Sequence, residues 1–350
     1  MTSPAPPLPA PPATTSASRQ RWEELLGSIS GLLPAGPASV LIDGHGPHPA
    51  ILAGRLAAAL NAAGQPCWRP PGTGRGTATG ASPCIPVATI MLADGARWRH
   101  ARRWDVVIWL RTPAAGCPAG GDGETGADIV IDLHDPGWPV IRRVAAPLAG
   151  RGTWYITETR AFFASRAATW DTKFGDDLPA YAAAIAEAGI PANSTVIDLG
   201  CGTGRALAAL RQAAGPHGKV IAIDLTPEML RQARDRAQTA DAALILADAR
   251  HLPLASASAD AIFAAGLIMH LPDPEAGLRQ LARITRPGGL LILFHPSGRA
   301  ALAARHGRSL TPGEPLDHAP LHRSTRSAGW QLTTYDDAGH RFLAIATRRP

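Results

Sequence analysis

Apolar positions change their period several times along the 350 residues. In "SRQRWEELLGSISGLL" they recur at helical spacing, whereas "ASVLIDG" is a short continuous apolar run of the kind a buried strand shows, followed by an alanine-leucine helix over residues 50–63. The next stretch, "PCWRPPGTGRGTATGASPCIP", is too rich in glycine and proline for an element interior and reads as a long loop. Two more strand-like runs, "RWDVVIWLRT" and "ADIVIDLHD", flank the glycine-rich "PAAGCPAGGDGETG". Strands with helices between them predict a small parallel α/β unit ending near residue 150.

From Trp154 the pattern changes. "ETRAFFASRAATWDTKFGDDLPAYAAAIAEAGI" predicts two amphipathic helices joined by a Gly-Asp turn. Strand runs then alternate with helices: "TVIDLG", "KVIAIDL", "ALILAD", "DAIFAAG", "GLLILF", "WQLTTYDD" and "RFLAIATR". The last two lie close enough for a hairpin, so an antiparallel pair ends an otherwise parallel sheet. No internal repeat interrupts the series. The expected organisation is a disordered proline-alanine tail over 1–18, an α/β domain over 19–150 and a larger α/β domain over 151–350.

Composition narrows the partners. The hydrophobic share is 45%, charge is 18% and no apolar run reaches about 18 residues, so nothing spans a membrane. The opening has neither a basic start nor an apolar core, which excludes a secretory or transit signal and points to the cytoplasm. Net charge is +6, yet Lys173 and Lys219 are the only lysines and the arginines are scattered; residues 1–150 carry 12 basic against 10 acidic side chains, and 151–350 carry 22 against 18. No basic stripe marks a nucleic-acid surface. Cys67, Cys84, Cys117 and Cys201 form no C-x-x-C pair and read as reduced thiols, and no spacing indicates a metal site.

"VLIDGHGPHPAILAGRLAAAL" begins like a phosphate-binding loop, but in the pattern G-x-x-x-x-G-K-[ST] counted from Gly44, Pro49, Ala50 and Ile51 stand where glycine, lysine and the hydroxyl belong. Pro47 and Pro49 also lack the backbone N–H such a loop offers to phosphate. With "WDVVIWLRT" and "ADIVIDLHDPGWPVIRRV", this half resembles the uridine-kinase-like branch of P-loop proteins in degenerate form. The resemblance without its lysine implies a scaffold or regulator rather than a kinase.

The strongest chemical signal is "VIDLGCGTGRALAAL": a strand from Val196 to Leu199, glycines at 200, 202 and 204, then a helix. Glycines there let the chain turn sharply and let a ligand lie against the backbone. A dinucleotide fingerprint would need glycine at 205 or 207, which are Arg205 and Leu207. Asp224 closes the next strand, where a carboxylate can accept from ribose hydroxyls, and "LADARHLPL" puts Asp248 at a third strand end. "RITRPGGLLILF" supplies a tight turn into the fifth strand. For single positions plain structural roles compete: Asp248 serves equally well as a cap, and Trp170 and Phe174 at i and i+4 as core.

Taken in order, these motifs resemble the class I S-adenosylmethionine-dependent methyltransferases, in the ubiquinone-biosynthesis-like, type 11 branch, over about residues 155–350. The resemblance implies a Rossmann-like seven-stranded α/β domain with an antiparallel last strand and S-adenosyl-L-methionine as cofactor. Asp198, Gly200, Cys201, Gly202 and Gly204 would hold its methionine part and Asp224 its ribose. Leu225, Asp248 and Ala249 would surround adenine, Trp170 and Phe174 would fold over the cofactor, and Gly266 and Leu267 would line the reactive end.

A base is needed only where the acceptor carries a proton. His270 and His295 lie beyond the carboxyl ends of the fourth and fifth strands and are the candidates, with Tyr181 and Asp171 behind them. The long segment after the fifth strand can wall an acceptor pocket, and its Arg299 and Arg305 either meet an anionic substrate or form a solvated face. The expected activity is methyl transfer to a small molecule. An RNA or protein methyltransferase, or a cofactor-binding regulator without turnover, stays open; the first needs a long charged groove or a peptide-accepting surface, the second an occluded pocket. No pattern sets an oligomeric state.

Overall fold

The computed structural model describes residues 15–70, 89–112, 124, 126–151, 153–174, 176–305, 310 and 313–350, without the side chains of 173 and 174. The tail up to residue 14, most of the glycine-proline loop and most of the glycine-rich stretch after residue 112 lie outside them. The described residues form two compact units that divide between Glu158 and Thr159.

The first unit holds β1 (Ala38–Gly44), β2 (Cys67–Trp68), β3 (Ile90–Asp94), β4 (Val106–Arg111), β5 (Ile129–Asp132) and β6 (Val140–Val144), with helices α1 (Ser16–Leu32) and α2 (His48–Ala62). The strand order is β2-β3-β1-β4-β5-β6, parallel except for β6 against β5. The apolar runs of β1, β4 and β5 appear as expected, because strands buried on both faces lose alternation and become continuous hydrophobic runs. Three strands escaped the pattern: β2 is two residues long inside a proline-rich stretch, β3 is a five-residue run, and edge strand β6 contains Arg142 and Arg143. Helix α1 starts at Ser16, where the Thr15 hydroxyl accepts from the Ser18 N–H at 3.1 Å.

A buried ion pair ties this unit together. Arg21 donates from Nη2 to Glu158 at 2.5 Å, from Nε to the Pro139 carbonyl at 2.8 Å and from Nη1 to Glu24 at 2.8 Å, while Glu158 accepts from the Ile141 N–H at 2.8 Å. Burial pushes the Glu158 carboxyl up from its ordinary value, against the pull of Arg21 and the Ile141 N–H. Glu158→Ala leaves the buried Arg21 guanidinium with only the exposed Glu24 as counter-charge, and the expected loss of stability is about 3 kcal/mol, the low end of the range for breaking a buried pair. Chemical denaturation of the two proteins measures it; a loss below 1 kcal/mol would mean the pair behaves like an exposed one.

The unit boundary falls inside α3 (Trp154–Ala164). The second unit continues with α4 (Trp170–Phe174), α5 (Leu178–Ala188), β7 (Thr195–Leu199), α6 (Leu207–Ala214), β8 (Lys219–Asp224), α7 (Pro227–Thr239) and β9 (Ala242–Leu246). Then come β10 (Ala259–Ala265), α8 (Pro274–Ile284), β11 (Thr285–His295), α9 (Arg299–Arg305), α10 (His318–Ser327), β12 (Trp330–Ala338) and β13 (Arg341–Arg348). Where one helix was expected before the first loop, α3 stops and α4 follows a 3₁₀ turn at Ala167–Thr169. Ser165 Oγ and Arg166 Nη1 both donate to the Phe162 carbonyl, at 3.1 and 2.9 Å, and so compete with helix continuation.

The second sheet runs β12-β13-β11-β10-β7-β8-β9, with β13 antiparallel to both its neighbours. Its other pairings are parallel, so the carboxyl ends of β7, β8, β9, β10 and β11 share one edge. From β7 the chain steps outward to β8 and β9, then returns to β10 on the other side. Such a reversal opens a crevice at the carboxyl edge, and open α/β sheets bind ligands there. Beneath it Phe263, Phe294 and Ile292 are buried, and the Tyr181 ring from α5 packs at 5.0 Å from Phe294.

Candidate active site

The glycine loop leaves β7 at the crevice. Gly200 and Cys201 donate their N–H groups to the Ile223 carbonyl at 2.8 and 3.0 Å, which fixes the turn against β8. Gly202 has φ +53, a region L side chains avoid, and a Cβ built on it meets nothing within 4 Å. Its N–H donates to Asp224 Oδ2 at 2.9 Å, and Thr226 N–H donates to Oδ1 at 2.7 Å. Thus the loop and the β8 carboxylate, placed together by the sequence motif, are joined by a direct hydrogen bond.

Asp198, at the end of β7, is 2% exposed and its Oδ2 has no hydrogen-bond partner among the described residues. Burial first, and the neighbouring Asp224 charge second, push its carboxyl up to about 8. Burial also raises Asp224, against the backbone hydrogen bonds from Thr226 and Gly202. Two ionised carboxylates buried side by side are costly, so Asp198 holds its proton more tightly than an ordinary aspartate, and its Oδ2 shares it with no partner among the described residues. Cys201 is buried beside them, and desolvation together with both carboxylates raises its thiol well above the ordinary value, leaving it unreactive.

The other expected residues fall into place unevenly. Arg160 Nε donates to the Leu225 carbonyl at 2.9 Å, and Ala249 is buried. Asp248 is held in a fork by Arg250, whose N–H, Nε and Nη2 donate at 2.7 to 3.1 Å. Burial acts to raise Asp248, but the Arg250 hydrogen bonds and charge outweigh it and hold the carboxyl below its usual range. Trp170 packs 5.6 Å from Phe163, whose ring also meets His270 edge-on at 5.3 Å. The Phe174 side chain lies outside the described residues.

Across the crevice Gly266 has φ +66, and Leu267 brings its Cδ1 to 3.2 Å from where a Cβ on Gly200 would stand. His295 ends β11, with Cδ2 3.8 Å from the Cβ position of Gly266. Its Nδ1 lies 3.1 Å from the Ser297 N–H nitrogen and 3.0 Å from the Ser297 carbonyl. Ser297 therefore satisfies Nδ1 whether or not that nitrogen carries a proton, so either tautomer and the protonated ring are all supported.

Two weaker candidates are corrected. Asp171 accepts from Thr203 Oγ1 at 2.6 Å, Arg236 Nη1 at 2.6 Å and Arg205 Nη1 at 3.0 Å. Those bonds outweigh its desolvation and hold its carboxyl below the usual range, so it clamps α4 to the glycine loop instead of accepting a proton. Tyr181 is packed among Phe263 and Phe294, and desolvation first and Asp177 second push its hydroxyl far up, out of reach of base chemistry. Sequence reasoning missed Phe163, Arg160, Thr203, Arg205 and Arg236. Of these only Thr203 and Arg205 carried a signal, by standing inside "GTGR".

Residues 197–293 match the family model described as a methyltransferase domain. The methyltransferase GfsG of Streptomyces halstedii is 36% identical over 108 residues, which cover 30% of this chain and 38% of that protein. A 27-O-demethylrifamycin SV methyltransferase of Amycolatopsis mediterranei is 32% identical over 159 residues, covering 42% of this chain and 57% of that protein. An uncharacterized 37.1 kDa protein in transposon TN4556 of Streptomyces fradiae is 39% identical over 103 residues, covering 29% and 30%. This chain thus spans between 30% and 57% of the lengths of these relatives. The C-terminal region contains a class I S-adenosylmethionine-dependent methyltransferase domain. No helix among the described residues is long and apolar enough to cross a membrane.

Proposed function

We propose that the protein is an S-adenosylmethionine-dependent methyltransferase acting on a small-molecule acceptor. The observation that carries this reading is the buried Asp198 oxygen without a partner, set beside the open space over Gly202 at the sheet's switch point. A cationic amino group answers both the charge and the empty acceptor. S-adenosylmethionine carries such an ammonium, and when bound it supplies a methyl group already activated on sulfur. The residues fit it: Asp198 meets the ammonium, Gly200, Gly202 and Gly204 let the methionine part lie against the backbone, and Cys201 fills the space behind the loop. Asp224, at the end of β8, receives the ribose hydroxyls. Leu225 and Ala249 flank adenine, and the adenine amino group meets Asp248 in competition with Arg250. Trp170 covers the site, and Gly266 and Leu267 border its reactive end.

His295 is the proposed general base: a proton taken at Nε2 leaves Nδ1–H donating to the Ser297 carbonyl. His270, against Phe163, is assigned the wall of the site. The small-molecule reading gains support from the relative named for demethylrifamycin. Free Cys67 and Cys201 support a reducing, cytoplasmic setting.

Asp224→Ala removes charge-assisted hydrogen bonds of about 1.5 to 3 kcal/mol each and is expected to weaken S-adenosylhomocysteine binding at least tenfold in titration calorimetry. Unchanged affinity removes Asp224 from the site.

For the first unit we propose a degenerate uridine-kinase-like P-loop domain without turnover. The strand-loop-helix from β1 to α2 supports the ancestry, and the loop itself supports the loss. Asp43 is salt-bridged to Arg99 at 2.7 Å, and Gly44 lies so close to Leu110 that a Cβ would stand 2.8 Å from the Leu110 carbonyl oxygen. The intact protein is expected to show no magnesium-dependent ATP hydrolysis; release of phosphate above the background, abolished by Asp43→Asn, contradicts this.

A further inference from the structure

The cleft beyond the carboxyl ends of β10 and β11 is walled by Leu267, Ile268, Met269, Leu293, Leu302 and Phe342, with His295 among them. Leu267 belongs both to this cleft and to the glycine loop's surroundings, where its Cδ1 approaches Gly200. A molecule seated here is therefore one side chain away from the cofactor loop. The cleft's chemistry decides what that molecule is.

Among the described residues its walls hold a single permanent charge, Arg299, and that charge is compensated by two carboxylates. The guanidinium is 8% exposed; Nη1 donates to Asp317 at 3.0 Å and Nε lies 3.2 Å from Asp337 Oδ2, while the Arg299 N–H donates to the other Asp337 oxygen at 2.8 Å. Two carboxylates on one guanidinium leave no net positive charge for an anion, although Nε makes no hydrogen bond among the described residues, and neither Asp317 nor Asp337 is among the residues that wall the cleft, where it could meet a cation. Arg305, the other cation expected to meet an acidic substrate, is exposed and donates to Ser297 Oγ at 2.8 Å. Both arginines serve the fold of the segment after β11. Among the described residues, what remains facing a ligand is mainly hydrocarbon, plus the imidazole of His295 and Ser297, whose hydroxyl already accepts from Arg305.

We infer that the acceptor is an uncharged, mainly apolar molecule presenting one hydroxyl to His295. An ion of either sign loses its hydration in this cleft without gaining a counter-charge, whereas a neutral hydroxyl needs one hydrogen bond, which the ring supplies. This rests on the methyltransferase reading for the meaning of the cleft as an acceptor site, but its selectivity is measurable without any cofactor.

The probes are three para-fluorinated rings of similar size followed by fluorine NMR with the intact protein at pH 7: p-fluorophenol, p-fluorobenzoate and p-fluorobenzylammonium. The expected result is saturable line broadening for the phenol, with both ions bound at least tenfold more weakly. Leu302→Trp, which fills the cleft from α9, is expected to remove the phenol's broadening while leaving S-adenosylhomocysteine affinity within twofold, the latter also reporting an intact fold. The inference is overturned if either ion binds as strongly as the phenol, if the phenol does not bind, or if it binds a folded Leu302→Trp protein unchanged. Absence of S-adenosylhomocysteine binding in the wild-type sample overturns the cofactor reading instead, whatever the probes do.

Discussion

Gly202→Ala is expected to leave a folded protein that binds S-adenosylhomocysteine roughly a hundredfold more weakly, the equivalent of about 2.7 kcal/mol. In the unliganded chain the new methyl meets nothing beyond its own chain neighbours, since no other atom of the described residues lies within 4 Å of it. The cost to the fold is therefore confined to holding alanine at φ +53, roughly 1 to 2 kcal/mol. The cost to the ligand is larger, because the space the methyl enters is the space over the loop. Thermal denaturation and calorimetry on the same sample separate the two. A folded variant with wild-type affinity would place the ligand away from Gly202.

The second large effect concerns pH. With its carboxyl pushed up to about 8, Asp198 holds a proton in the unliganded protein at neutral pH, whereas in the unfolded chain it gives that proton up near the ordinary aspartate value. Raising pH from about 4 to 8 therefore removes stability from the unliganded fold, and stability is greatest on the acidic side of that window as far as this group is concerned. A ligand that brings an ammonium to Asp198 binds the ionised form and must displace the proton. S-adenosylhomocysteine affinity is expected to rise by up to roughly tenfold per pH unit toward pH 8 and then level off, with proton release visible as buffer-dependent heat. Asp198→Asn removes the carboxylate that titrates and flattens the profile at low affinity. A wild-type affinity independent of pH between 6 and 8 would mean that no ammonium meets this carboxylate.

How far the sequence foretold all this depended on whether a feature was local. Glycines 200, 202 and 204 and the acid at 224 are dictated by backbone geometry and a strand end, and both leave a fixed mark in a short stretch. In the second unit β7, β8, β10, β11 and β13 were legible because each carries a buried apolar run, whereas the edge strands β9 and β12 are mostly unburied and were read from a short apolar stretch and from hairpin spacing. In contrast, the role of Asp171 depends on Thr203, Arg205 and Arg236, which reach it from 32 to 65 positions away. The neutralisation of Arg299 likewise depends on Asp317 and Asp337. No periodicity encodes such partners. In the first unit the weak strands β2 and β6 sit at the sheet edges, where little burial is required of them and the hydrophobic signal fades accordingly.

A crystal structure of the intact protein grown with S-adenosylhomocysteine would show whether the β7 loop and Asp224 hold the cofactor. The ligand's amino group is expected against Asp198, its chain over Gly202 and its ribose on Asp224. Ligand density at any other place on the protein would contradict this assignment.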